Sequence, residues 1–152
     1  MKRSKILSTT DKESTWCFGC GKDNPFSLKL DFQWDGRIAK AEFIPAKLHE
    51  GWPGIVHGGI ITTILDEAMS YATIFEGTNC VTAEIRVNFK RPVLVDEPLT
   101  INSSVTKKTR KIVETEACIL SADGTLLAEG TAIQFIIKHL PKSSNKEEIP
   151  KK

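Results

Sequence analysis

The sequence predicts an α+β fold in which an antiparallel sheet of about six strands wraps around one long central helix. Two patterns indicate it: a helical period of apolar residues over residues 57–77, and six segments around it in which apolar and polar residues alternate. One helix cannot cover both faces of such a sheet, so the strands are expected to curl around it. The sheet keeps free edges, which favours pairing with a second copy of the chain.

Length and composition limit the class of protein. The 152 residues fit one domain, with 40% hydrophobic residues, 26% charged residues and four cysteines. A net charge of +2 is too small to indicate nucleic-acid binding, and no apolar run is long enough to cross a membrane. The basic start of the chain lacks the apolar region of a secretory signal. We therefore expect reduced thiols and a cytoplasmic protein.

Three parts are expected along the chain. Residues 1–15 are polar and are expected to form a flexible N-terminal segment. Residues 16–139 hold all the periodic segments and are expected to form the folded domain. Residues 140–152 are charged and bounded by prolines, which predicts a disordered C-terminal tail.

A pair of cysteines, in the run WCFGCGKDNPFS, opens the folded part. Cys17 and Cys20 have the spacing of half a zinc site, but a closed structural site needs four ligands and no second such pair completes it. A redox motif would be expected in a strand–helix–strand context, which is missing. We expect a structural loop that packs two small sulfur side chains and holds no metal, with zinc binding and redox chemistry as the alternatives.

Two strands and a loop precede the helix. Residues 28–34 alternate apolar with polar side chains, and an Asp-Gly pair typical of a tight hairpin connects them to a return strand over residues 37–44. The loop over residues 48–56 is broken by glycine and proline and leads into the helix. Trp52 in this loop is expected to be a packed lid or a pocket wall.

The helix over residues 57–77 is the centre of the predicted fold. Its apolar side chains share one broad arc, and the opposite arc carries small hydroxyl residues around Asp66. This composition predicts a second protein surface or a substrate on the polar side, while Glu67 at its edge is expected to be a solvated or ion-paired acid. Gly58 and Gly59 leave the first N–H groups of the helix open to a ligand.

After the helix, the period changes to two. Strands are predicted over residues 81–90, 99–105, 112–120 and 126–137, the last two paired across an Ala-Asp-Gly turn. The first has the most regular alternation, with apolar residues at odd positions. Thr82 is therefore expected on the polar side of this strand.

Two runs of residues resemble a known family. VHGGIITTILDEAM, followed by TAEIRVNFKRPV, resembles the hotdog-fold acyl-CoA thioesterases of the phenylacetyl-CoA and 4-hydroxybenzoyl-CoA type. The resemblance covers roughly residues 16–137. It implies a hotdog fold, hydrolysis of a small aromatic or medium-chain acyl-CoA without a cofactor, and a homodimer or dimer of dimers with shared sites.

The resemblance also implies roles for three residues in the reaction. The Gly58 N–H would donate to the oxyanion, Asp66 would be the nucleophile or the general base, and Thr82 would help to position the attacking water. These residue types suit the chemistry, because thioester hydrolysis develops negative charge on the carbonyl oxygen and N–H groups at a helix start stabilise such charge. A carboxylate can activate water or attack directly.

Further residues are expected to bind the substrate. His57, Gly59 and Trp52 lie around the helix start and are expected to contact the thioester, with capping of the helix as the alternative for His57. Arg91 and Arg110 lie beside strand ends and are expected to hold the coenzyme A phosphates, since a guanidinium can donate two parallel hydrogen bonds to a phosphate.

The chain departs from the family pattern at Gly51. Several relatives have asparagine or glutamine about seven residues before the first motif glycine, and here His49 or Glu50 could take that role. This departure favours a second interpretation, a hotdog domain that binds an acyl thioester without hydrolysing it. A hydratase of the same fold is less favoured, because the helix lacks the expected Asp and His spacing.

The spacing of Gly58 and Asp66 predicts that the site is shared between two subunits. Eight residues of helix separate them, about 12 Å at 1.5 Å per residue. One thioester carbonyl cannot readily accept a hydrogen bond from the first and be attacked beside the second within one helix. Two antiparallel helices related by a two-fold axis would bring Gly58 of one copy beside Asp66 of the other.

Overall fold

The computed structural model of the chain describes residues 15–138. Within them the predicted α+β architecture is confirmed, with one long helix and six strands. These are β1 Gln33–Trp34, β2 Ala39–Phe43, α1 Gly58–Phe75, β3 Cys80–Phe89, β4 Leu99–Lys108, β5 Ile112–Ser121 and β6 Leu126–Ile136. Nearly all of the predicted flexible segment, residues 1–15, and all of the predicted tail, residues 140–152, lie outside the described residues.

The six strands form one sheet in which every neighbouring pair is antiparallel, in the order β1-β2-β4-β5-β6-β3. Strand β3 follows the helix directly in the chain but lies at the edge of the sheet, beside β6. Helix α1 contacts the strands from β2 to β6 and so lies across the concave face. This is the hotdog arrangement that the resemblance implied.

The apolar arc of α1 fills the concave face of the sheet. Its central side chains are 0–1% exposed: Ile61, Ile64, Leu65, Ala68, Met69 and Ala72. Burial of each larger aliphatic side chain stabilises the fold by roughly 1.5–3 kcal/mol, so the helix is fixed by its core face rather than by helix propensity. None of the helices between residues 15 and 138 combines the length and apolar character that crossing a bilayer requires.

The strand predicted over residues 28–34 joins the sheet only at its end, Gln33–Trp34. The backbone N–H groups of Leu28 and Leu30 donate instead to carbonyl groups of the loop that contains the cysteines, at 2.9 and 3.0 Å. Between them Lys29 has a φ of 55°, in the left-handed region, which interrupts the extended backbone. The alternation predicted the burial of Leu28 and Leu30 correctly but not their hydrogen-bond partners.

Strand β3 contains a bulge at Ala83. Thr82 pairs with Gln134 of β6, and the residue after Ala83 pairs with the position immediately before Gln134, so Ala83 has no partner in the register. The extra residue reverses the alternation. Thr82 therefore lies on the same side of the sheet as Ile85 and Val87, which pack against the core. The expectation that Thr82 lies on the polar face of its strand is wrong for this reason.

The turns predicted from glycine are confirmed. Gly36 between β1 and β2 has a φ of 103°, and Gly124 between β5 and β6 has a φ of 85°. Residues with a Cβ rarely adopt these values, so each hairpin depends on its glycine. The loop before α1 also contains a short 3-10 helix, Lys47–His49, which the sequence pattern did not predict.

Candidate active site

Helix α1 begins with one open hydrogen-bond donor. The imidazole Nδ1 of His57 accepts the N–H of Gly59 at 2.8 Å, and the His57 carbonyl accepts the N–H groups of Ile60 and Ile61. Among residues 15–138, nothing accepts the N–H of Gly58. His57 is therefore the cap of the helix, and the N–H of Gly59 is bonded to that cap. Gly58 presents the open donor to which the family resemblance assigned the oxyanion.

The two residues predicted to act on water are in contact. The hydroxyl of Thr82 donates to Oδ1 of Asp66 at 2.7 Å. Asp66 is half-buried on α1 and Thr82 lies on β3, so the bond joins the helix to the edge strand. The contact depends on the bulge at Ala83, because regular alternation would direct Thr82 away from the helix.

A buried glutamine lies behind this pair, and the sequence analysis did not identify it. Gln134 has no exposed surface and pairs with Thr82 across the β3–β6 ladder. Its amide nitrogen is 3.5 Å from the hydroxyl of Ser70, one turn after Asp66, and its amide oxygen is 3.5 Å from the hydroxyl of Thr115. The sequence did carry a signal for this residue: an amide side chain at a position of β6 that faces the core needs hydrogen-bond partners there.

The structure keeps the other predicted residues apart within one chain. Gly58 and Asp66 are eight residues apart on the unbroken helix α1, which corresponds to about 12 Å. Arg91 is exposed just beyond the end of β3. Arg110 is exposed in the β4–β5 turn, and β5 and β6 pairing places that turn near Val81 at the other end of β3. Arg91 therefore lies beyond one end of β3, and Arg110 lies at the opposite end of the sheet, two strands away from β3.

In the loop before the helix, the two residues that could replace the missing amide make hydrogen bonds with the loop backbone. A Cβ on Gly51 would lie 3.0 Å from the Cα of His57, so this backbone leaves little room for a side chain there. His49 and Glu50 each accept a backbone N–H within the loop, and burial lowers the pKa of His49. Trp52 is 79% exposed and so is not a packed lid within one chain.

The cysteine loop, residues 16–27, packs on the other side of α1. Cys17 donates its S–H to the carboxylate of Glu67 at 3.4 and 3.6 Å, and the hydroxyl of Tyr71 donates to Cys20 at 3.2 Å. Glu67 is only 8% exposed, so the expectation of a solvated acid is wrong: the loop covers it. The hydrogen bond with Cys17, burial and the Glu67 carboxylate all raise the pKa of Cys20.

Comparison with known proteins shows the family of this chain. Residues 53–128, half of the chain, match the sequence model of the thioesterase superfamily. The chain belongs to the thioesterase superfamily. The matched region contains the end of the loop before the helix, α1 and β3, and therefore Gly58, Asp66 and Thr82.

The superfamily includes curated and structurally characterised relatives. The acyl-coenzyme A thioesterase THEM4 of Bos taurus is 34% identical over 97 residues, which are 63% of this chain and 39% of that protein. This chain thus spans about two fifths of the length of that relative.

Solved structures share the fold. A thioesterase superfamily protein, RHA08564, superposes with a TM-score of 0.76 at 22% identity, over 81% of this chain and 61% of its own. A hypothetical thioesterase from Streptococcus pneumoniae, solved with coenzyme A, has a TM-score of 0.64 at 20% identity, over 66% of this chain and 79% of its own. The predicted family and hotdog fold are confirmed.

The cap at His57 gives a prediction about stability. His57→Ala removes the acceptor of the Gly59 N–H and should lower the free energy of unfolding by about 1 kcal/mol, measured by urea denaturation. His57→Asn is the matched control, because its side-chain oxygen can accept the same N–H and should retain most of the stability. Equal destabilisation by both substitutions would show that the cap is not the source of the effect.

Proposed function

We propose that this chain hydrolyses acyl-CoA thioesters at a site formed by two copies of the chain. The observation that carries the proposal is the 2.7 Å hydrogen bond from Thr82 to Asp66, which fixes a carboxylate on the polar side of α1. The open N–H of Gly58 supplies the complementary donor. The names of the bovine relative, an acyl-coenzyme A thioesterase, and of the pneumococcal thioesterase solved with coenzyme A support the substrate class.

Each group has a definite task in the proposed reaction. The thioester carbonyl accepts the Gly58 N–H, which stabilises the oxyanion; loss of one such donor in other enzymes costs about 3 kcal/mol. Thr82 donates a hydrogen bond to Oδ1 of Asp66, so the other carboxylate oxygen is the one that accepts a proton from water. That water attacks the carbonyl carbon, the carbon–sulfur bond breaks, and the thiolate of coenzyme A leaves and takes up a proton.

A small aromatic or medium-chain acyl group suits the surroundings of Gly58. The ring of Phe89 lies 3.5 Å from the position of a Cβ on this glycine and is 57% exposed. An aromatic or aliphatic acyl chain on the Gly58 N–H would therefore pack against this ring, and Trp52 on the adjacent loop offers a second exposed wall. The acyl specificity is measured with a panel of aromatic and straight-chain acyl-CoA substrates.

The edge strand supports a homodimer. Val81 and Phe89 of β3 are 47% and 57% exposed, and no strand within residues 15–138 pairs with the outer edge of β3. Antiparallel pairing of two β3 strands about a two-fold axis would cover both side chains and satisfy the free backbone groups. It would also bring Gly58 and Arg91 of one copy toward Asp66 of the other. Sedimentation should show a dimer, or a dimer of dimers.

A cytoplasmic location fits the cysteines. Within residues 15–138 no disulfide forms, and all four cysteines, Cys17, Cys20, Cys80 and Cys118, are half-buried thiols. Thiols persist in a reducing compartment, where the pool of coenzyme A thioesters would also be accessible. Fractionation of the source cells, with the protein recovered outside the cytosolic fraction, would contradict this location.

A second candidate function is binding of an acyl thioester without hydrolysis. The specific observation in its favour is Gly51, where the backbone leaves little room for the amide side chain that several relatives carry. The neighbouring His49 and Glu50 side chains are held by the loop. A pure binding module would bind acyl-CoA in calorimetry without releasing free thiol, and so the two candidates are separable.

The hydrolysis of acyl-CoA is the first test. Asp66→Asn should lower kcat at least about 100-fold, and Thr82→Val, which removes only the hydroxyl bonded to Asp66, about tenfold. Thr131→Val, an exposed threonine on β6, is the control and should leave kcat unchanged. Free thiol is followed with a colorimetric reagent, and single turnover in oxygen-18 water should leave Asp66 unlabelled. An unaltered rate in Asp66→Asn would remove this residue from the reaction.

The arginines give a prediction about substrate affinity. Arg91→Ala and Arg110→Ala should each raise KM for acyl-CoA several-fold with little change in kcat, because each loses a bidentate contact with a phosphate. The effect should shrink as the salt concentration rises. Arg37→Ala, in the β1–β2 turn, is the matched control. Unchanged KM values in both variants at low salt would exclude these arginines from the coenzyme A site.

The shared site is tested by complementation. Asp66→Ala and Gly58→Val should each be folded and inactive, the second because its side chain blocks approach to the donor beside Phe89. Refolding an equal mixture should give half heterodimers, each with one intact site, and therefore about a quarter of wild-type activity. Circular dichroism confirms that the parents are folded, and two affinity tags confirm the heterodimer. Complete inactivity of the purified heterodimer would refute sharing.

A further inference from the structure

The cysteine loop and the central helix bring together more metal-binding groups than the sequence spacing indicated. The ligand atoms of Cys17, Cys20 and Glu67 all lie within 4.8 Å of one another. The sequence expectation of no metal depended on only two ligands lying together. Glu67, fifty residues after Cys17, supplies a third ligand, and zinc also occupies sites with three protein ligands and an open fourth position.

The spacing of these atoms fits zinc. In a tetrahedral site with Zn–S of about 2.3 Å and Zn–O of about 2.0 Å, sulfur and oxygen ligands lie about 3.5 Å apart. The sulfur of Cys17 is 3.4 and 3.6 Å from the two carboxylate oxygens of Glu67. Two thiolates and a carboxylate are a ligand set that zinc, a borderline-soft ion, accepts.

The cysteine loop packs closely against the carboxylate of Glu67. A Cβ on Gly19 would lie 2.7 Å from Cδ of Glu67, and a Cβ on Gly21 would lie 2.5 Å from the backbone nitrogen of Cys17. The N–H of Gly21 also donates to the carbonyl of Cys17 at 2.7 Å, which closes the turn between the two cysteines. Glycine at both positions therefore allows the cysteines to sit directly over Glu67.

Two neighbouring side chains complete the environment. Tyr71, buried on α1, donates its hydroxyl to Cys20 at 3.2 Å, and such an outer hydrogen bond stabilises a metal-bound thiolate. The ammonium of Lys29 donates to the carbonyls of Gly21 and Lys22 at 2.9 and 2.7 Å. Two thiolates and a carboxylate around a divalent ion leave one negative charge, and this ammonium is a positive charge held on the backbone of the same loop.

We propose that Cys17, Cys20 and Glu67 bind one zinc ion that fastens the N-terminal loop to helix α1. Water from the half-exposed side of the cysteines fills the fourth position. Binding releases two protons, one from each thiol, and the carboxylate exchanges its hydrogen bond from Cys17 for the metal. Glu67 projects from α1 about 100° away from Asp66, so the ion lies apart from the proposed thioesterase site.

Metal content tests the proposal independently of any hydrolysis. The full untagged chain, purified without chelators, should contain about one zinc per chain by plasma mass spectrometry. Cys17→Ser and Cys20→Ser should lose it. Cys118→Ser, which replaces a half-buried cysteine on β5, should keep it. Glu67→Gln should bind zinc more weakly, since a neutral amide replaces the carboxylate.

Cobalt binding to the wild-type protein tests the same site and does not require that the cysteine variants fold. Wild-type protein dialysed against cobalt(II) should show thiolate-to-cobalt charge-transfer absorption, and zinc should protect two of the four cysteines, Cys17 and Cys20, from alkylation mapped by mass spectrometry. Wild-type protein that contains no zinc and gives no such absorption overturns the proposal. Zinc retained in folded Cys17→Ser and Cys20→Ser overturns it as well.

Discussion

The packing of helix α1 into the concave face of the sheet is the interaction on which the rest of the structure depends. Its apolar arc, from Ile61 to Ala72, is almost completely buried and holds five strands in one curved layer. Once this face is fixed, the direction of every other side chain on the helix is fixed with it. Asp66 and Glu67 are consecutive in the chain, yet one is directed to the edge strand and the other to the cysteine loop.

The elements with strong periodicity could be predicted from the sequence. The helix, the antiparallel hairpins and the glycine turns follow from local patterns, because their stability depends on which face is apolar and on permitted backbone angles. The position of the two glycines at the start of α1 and of Asp66 on its polar side could also be predicted, while the roles of these residues stay predictions. The donor at Gly58 is open as expected because His57 caps its neighbour.

The features that could not be predicted depend on contacts between distant residues. A bulge leaves no signature in the alternation of VTAEIRVNF, so the direction of Thr82 was assigned wrongly. The burial of Glu67 depends on a loop fifty residues earlier in the chain. The same loop accepts the backbone hydrogen bonds of residues 28–30, which were expected to pair within the sheet. Both errors come from one segment, the cysteine loop, whose tertiary contacts override local preference.

The bulge at Ala83 also matters for how relatives of this chain are compared. It makes the residue opposite Asp66 depend on the number of residues in β3 as well as on their identity. A relative that lacks the extra residue would direct a different side chain at the acid, even if its sequence were otherwise the same around the strand. An alignment that places a gap elsewhere in β3 would then equate residues on opposite faces of the sheet. Insertions and deletions at this point therefore change which hydroxyl meets the acid without any substitution on the helix.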